Sequence, residues 1–107
     1  MTFEELLREV RKIKCEENRE QTDDYHEVVV ANVRLDAVTN LLKSYFGLPF
    51  KPEGQPPSAQ ADTYSESYGG VQTGQTLYVH ANGKGVELAI LWPWGSGLST
   101  TVKIIRK

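Results

Sequence analysis

The chain has 107 residues, 39% of them hydrophobic and 24% charged, with a formal net charge of −2. That length holds one domain with room for a single core two layers deep, and the composition excludes wholesale disorder. A slightly acidic balance argues against a dedicated nucleic-acid binder, and no apolar run approaches the ~18–20 residues that a membrane span needs. The first twenty residues mix acids and bases and do not read as a signal peptide. Cys15 stands alone, so no intrachain disulfide is expected and a reducing, cytoplasmic setting fits best.

The first element is a helix with a marked start. Thr2-Phe3-Glu4-Glu5 forms a capping box, with Met1 and Leu6 at the staple positions. Phe3, Leu6, Leu7, Val10 and Ile13 recur at helical spacing and make one apolar stripe. Residues 16–24 are almost wholly polar and read as a linker or a frayed helix end, since acids oppose the dipole at a helix C-terminus. Tyr25–Ala31 follows, with three consecutive valines, and reads as a strand buried on both faces and internal to its sheet. Asn32 is placed to cap a second helix whose apolar positions are Leu35, Val38, Leu41, Leu42 and Tyr45. Gly47, Leu48 and Pro49 mark its end.

Residues 48–75 hold four of the five prolines and read as one long loop. Tyr64 and Tyr68 give it side chains to pack with, and there is room for a short strand near Thr63–Ser67. The glycine-rich run Gly69–Gly74 matches neither GxxxxGK[ST] nor GxGxxG, so it carries no phosphate-binding reading.

The last third is a meander. Thr76–Ala81 alternates, Asn82-Gly83-Lys84-Gly85 is a hairpin signal, and Val86–Trp92 alternates again. A five-residue turn, Pro93–Gly97, sets Trp92 opposite Leu98, Ile90 opposite Thr100, Leu88 opposite Val102 and Val86 opposite Ile104. This register follows from asking that apolar positions meet on one core face. The expected architecture is an α+β two-layer sandwich in the order α-β-α-(long loop)-β-β-β. A mostly antiparallel sheet of about four strands carries both helices on its Leu77/Val79/Leu88/Ile90/Val102/Ile104 face.

The same register, with Asn82–Gly85 as a four-residue loop, defines an outer face with Tyr78, Ala89, Leu91 and Ile105 around a transverse row, His80–Glu87–Lys103; a two-residue Asn82-Gly83 turn would instead set Tyr78 beside Glu87 and His80 beside Gly85. A carboxylate beside a histidine can serve acid–base chemistry, so His80 and Glu87 are the catalytic candidates; the plainer reading is a cross-strand ion pair. Trp94, at the tip of the last turn, has the chemistry of a binding hot spot unless it folds back over the sheet end. Tyr64, Tyr68, Tyr78, Leu91 and Lys103 complete the binding candidates. His26 near Asp23 and Asp24 lacks a second ligand at a recognised metal spacing, and Cys15 lacks a CxxC partner or a nearby histidine, so no metal and no cofactor is expected.

Charge is uneven along the chain. Residues 1–24 carry eight acids against Arg8, Arg11, Lys12, Lys14 and Arg19, whereas residues 76–107 carry only Glu87 against Lys84, Lys103, Arg106 and Lys107. The two ends can attract each other within the fold or across a dimer. Taken together these features point to a non-catalytic protein-interaction or self-association module, the outer sheet face being covered either by a second copy, as a homodimer, or by the chain's own residues 48–75. The alternative is a small enzyme or ligand-binding protein using His80 and Glu87. Nucleic acid and membrane are not expected as partners.

Overall fold

The computed structural model describes residues 1–107. Its elements run α1 (Phe3–Arg11), β1 (Glu17–Gln21), β2 (Tyr25–Ala31), α2 (Leu35–Phe46), α3 (Ala59–Ser65), β3 (Thr76–Asn82), β4 (Gly85–Pro93) and β5 (Ser99–Arg106). The fold is α+β: one five-stranded sheet, ordered β1-β2-β5-β4-β3, with every neighbour antiparallel. No helix is long and apolar enough to cross a membrane.

The helix-end signals at Thr2 and Gly47 hold. The Thr2 hydroxyl accepts from the Glu5 amide at 3.1 Å, the Glu5 carboxylate accepts from the Thr2 amide at 3.2 Å, and the stripe Phe3, Leu6, Leu7 and Val10 is buried. α2 stops at Gly47, whose φ of 80° suits a residue without a Cβ and whose amide still donates to Lys43 O. Asn32 does not cap α2. It opens a 3-10 turn, Asn32–Arg34, and its side chain instead donates to Gly97 O and accepts from the Thr100 hydroxyl, tying the start of α2 to the β4–β5 turn.

Four expectations are corrected. Residues 16–24 are not a linker, because Glu17–Gln21 pairs with β2 as a fifth strand. Its side chains are all exposed, so it carries no apolar alternation to reveal it. The Thr22 hydroxyl makes the turn back into β2 by accepting from the amides of Asp24 and Tyr25. Residues 48–75 are not one irregular loop either. Ser58 caps α3 by accepting from the Ala61 amide, and a 3-10 turn, Glu66–Tyr68, follows; the two together occupy Thr63–Ser67, where there was room for a short strand.

The third correction is the register of the last hairpin. Leu88 pairs with Ile105, Ile90 with Lys103 and Leu91 with Val102, three residues further along β5 than the sequence suggested. An odd shift moves Val102 and Ile104 to the face opposite Leu88 and Ile90. The criterion of one apolar face fails here because the sheet has two.

This gives the fourth correction, a third layer. α1 and α2 cover the face with Val28, Val30, Tyr78, Ala89, Leu91, Val102 and Ile104. The other face carries Leu77, Leu88, Ile90 and Ile105 in a second core with Ala61 of α3 and Val71. The polypeptide changes layers by crossing the outer edge of β3, where Lys51 and Leu77 exchange both main-chain hydrogen bonds. Each sheet edge is thereby blunted: β3 by this strap, and β1 by its charges and by the irregularity between Asn18 and Glu20.

The uneven charge along the sequence resolves inside one chain. Arg106 donates to Glu4 at 2.6 Å and to Asp24 at 3.0 Å, joining the basic end to the acidic end.

Candidate functional site

His80 and Glu87 are opposite one another on β3 and β4, which selects the longer of the two turns the hairpin signal allowed. His80 Nδ1 lies 2.9 Å from Glu87 Oε1, and the Tyr45 hydroxyl, brought in by α2, donates to the same oxygen. The Tyr45 and His80 rings meet edge to face, 5.7 Å between centroids. Burial, and then the neighbouring Glu87 carboxylate, push the Tyr45 phenol well above its ordinary range, so it stays protonated and acts as a donor. The cluster clasps α2 to the β3–β4 hairpin. Lys103 takes no part in it, because the corrected register places that lysine on the other face.

Tyr78 and Leu91 are not on an open surface. They lie in the core beneath α1 and α2, with Leu91 only 6% exposed. The face proposed for a homodimer is therefore occupied by the chain's own helices, because β4 buries both of its faces.

The remaining candidates gather on the opposite face, in the strip running from the β4–β5 turn to β2. Trp94 does fold back: its Nε1 donates to the Thr101 hydroxyl at 2.9 Å, yet 41% of the residue stays exposed. Thr101 is the cross-strand partner of Trp92. Lys103 Nζ sits 3.5 Å from the Trp92 ring centroid and donates to Tyr68 O at 3.0 Å. The Tyr68 ring stacks on Tyr25 at 6.1 Å, and the Tyr25 hydroxyl donates to Glu27 at 2.6 Å. Arg19 of β1 reaches the other Glu27 oxygen at 3.4 Å.

Burial pushes the Lys103 ammonium down from its ordinary value, while the Glu27 carboxylate opposes that shift. With 7% exposure this lysine supports the strip from beneath. Tyr64 lies on α3, edge to face with Phe50 at 5.6 Å, and packs against the second core. Trp92, Tyr25, Glu27 and Arg19 were absent from the sequence-based site. Trp92, Tyr25 and Glu27 lie on strands whose alternation was readable, whereas Arg19 lies on β1, which periodicity did not reveal.

Two shallow depressions flank Arg106. One, of about 210 Å³, is lined by Asn82, Lys84, Gly85, Val86, Glu87, Arg106 and Lys107; the other, of about 260 Å³, by Glu4, Leu7, Arg11, Asp23 and Arg106. The Arg106 guanidinium is already committed to Glu4, Asp24 and the Asp23 carbonyl. No three His, Cys, Asp or Glu side chains converge as a metal-binding group would. The chain matches no protein-family model, and neither curated proteins nor solved structures give a match.

Proposed function

We propose that the chain is a non-catalytic protein-binding domain and that the strip Trp94–Trp92–Tyr68–Tyr25 is its contact surface. The observation that carries this reading is the row of partly exposed aromatic side chains on β2, β4, the β4–β5 turn and a 3-10 turn, extended by Arg19 at the β1 edge. Trp, Tyr and Arg are the residues that dominate binding energy at protein interfaces. Glu27 is paired with Arg19, and Lys103 is nearly buried under Trp92 with its ammonium on Tyr68 O, so the partner is a protein segment offering apolar and hydrogen-bonding groups rather than a polyanion. The lone, partly buried Cys15 and the net charge of −2 favour a cytoplasmic setting away from nucleic acid.

Peptides selected from a display library on the wild-type domain test this. Under the proposal they lose at least tenfold in affinity on Trp94→Ala and keep it on His80→Gln. Binders indifferent to Trp94 and Tyr25 would overturn it.

A second reading attaches to Tyr45–Glu87–His80. With Nδ1 held by Glu87 on a half-exposed side chain, His80 keeps its second ring nitrogen for a ligand. Against it, the adjoining depression is smaller than the ~300–1,000 Å³ usual for small-molecule sites. A small-molecule screen read by His80 ring shifts separates the two readings, since hits confined to that end of the sheet would favour the second.

A further inference from the structure

His26 is the one histidine inside the molecule, 1% exposed, on the β2 face that α1 covers. Arg11 Nε points at its Nδ1 from 3.5 Å. A guanidinium only donates, so Nδ1 must accept, and the ring proton of the neutral form sits on Nε2, which has no partner. The same arginine donates from Nη2 to Thr22 O at 2.6 Å, clamping the last turn of α1 to the β1–β2 turn. One side chain therefore reads the protonation state of His26 and holds two elements together.

We propose that His26 and Arg11 form an acid-sensitive latch: protonation of His26 releases the C-terminal half of α1 and the β1–β2 turn while β3, β4 and β5 stay folded. The groups around the ring set the sense of the response. On α1 the nearest charge is Arg11 itself. Opposite His26, β1 offers the neutral Gln21 and β5 the apolar Ile104. Of the carboxylates nearby, Glu4 and Asp24 are held by Arg106, and Asp23 is exposed in the turn. An imidazolium at this position thus faces a guanidinium, while the one unpaired carboxylate of the turn, Asp23, lies out at the surface beside Arg11 and does not contact the ring. Burial first, and Arg11 second, depress the ring from 6.5 to about 4.

The sign follows from linkage. A histidine whose folded value is depressed contributes stability above its unfolded value and loses it as pH falls toward the folded one. The window is therefore about pH 6.5 down to 4. At pH 5 the released state is favoured roughly thirtyfold relative to pH 7.5, if its histidine titrates normally. Release uncovers Leu7 and Val10 together with the Val28 and Ile104 surface beneath them.

Amide exchange of the whole chain at pH 7.5 and 5, corrected for intrinsic rates, tests the latch. We expect amides of Leu7–Arg11 and Thr22–Tyr25 to open roughly thirtyfold more at pH 5, with β4 and β5 unchanged. In His26→Phe the pH response should vanish, and in His80→Gln it should persist. His26→Gln serves if the phenylalanine does not fold. A wild-type ring that titrates near 6.5 without local opening would overturn the proposal. So would an acid response retained in both His26 variants, or one spread evenly over all five strands.

Discussion

Lys51 pairs with Leu77 through both main-chain hydrogen bonds, at 3.1 and 3.0 Å, and the same residue sends its ammonium to the carbonyls of Gln72 and Thr73 at 2.7 Å and of Gln75 at 2.5 Å. A lysine 3% exposed, with its three protons directed at three carbonyls, is a structural cation. It fixes the crossing strap to the turn before β3, and so decides where α3 can lie. Burial pushes this lysine down from its ordinary value, with Glu53 opposing.

Lys51→Met should therefore destabilise the domain by roughly 2–3 kcal/mol, the worth of a hydrogen bond to a charged group, with the other carbonyls returning to water. Chemical denaturation measures it. Deleting residues 51–58 should do more and leave no cooperative transition. A deletion variant as stable as wild type would show that the strap is dispensable.

Leu91→Arg separates the buried-face arrangement from an open, self-associating one. Leu91 lies beneath α1 and α2, so a guanidinium there has no path to water without lifting a helix. The expected outcome is a loss of at least ~3 kcal/mol, or outright unfolding, as for an unpaired buried charge. A folded chain of halved mass by light scattering would instead restore the dimer.

Much of the fold was legible locally. The Thr2/Glu5 box, the Gly47 stop, the valines of β2 and the Asn82–Gly85 hairpin each rest on interactions within a few residues, and each holds. What failed depended on distant partners. β1 is polar at every position because it lies at an edge, so periodicity cannot find it. α3 has only seven residues, between a proline-rich and a glycine-rich stretch. The β4–β5 register was chosen on the premise of one buried face, whereas Leu88 and Ala89, neighbours in sequence, are both fully buried on opposite faces. The site divides in the same way. His80–Glu87 was one of two pairings the Asn82–Gly85 turn allowed, Tyr45 arrives from α2, and Lys103 was lost with the register.

Gly69 offers a sharper test of the second layer. Its φ is +98°, and a Cβ built there would lie 2.7 Å from Trp92 Cη2 and 3.0 Å from Cζ2. Gly69→Ala thus combines left-handed strain with a clash against the ring that Lys103 covers. A loss of roughly 1–3 kcal/mol is expected, together with a changed tryptophan emission. Gly70→Ala shares the strain, at φ +76°, but meets nothing within 4 Å, and should leave the emission unchanged. Equal spectral changes in the two variants would mean that Trp92 does not pack beneath Gly69.

The register of β4 and β5 can be read from energetics alone. Leu88 is fully buried in the core beneath α3, and its truncation to Ala should cost about 2–5 kcal/mol. Its cross-strand partner is Ile105, on the same face, whereas Val102 belongs to the core under α1 and α2. Side chains in contact share a packing term that is lost only once. The double variant Leu88→Ala/Ile105→Val should therefore depart from additivity by roughly 0.5–1 kcal/mol or more, and Leu88→Ala/Val102→Ala should add within ~0.5 kcal/mol. The comparison is internal, since all variants are referred to one wild type and one denaturant. Coupling to Val102 with none to Ile105 would return the strands to the register in which Leu88 faces Val102. It would also move Lys103 back beside Glu87 and undo the aromatic strip as a single surface.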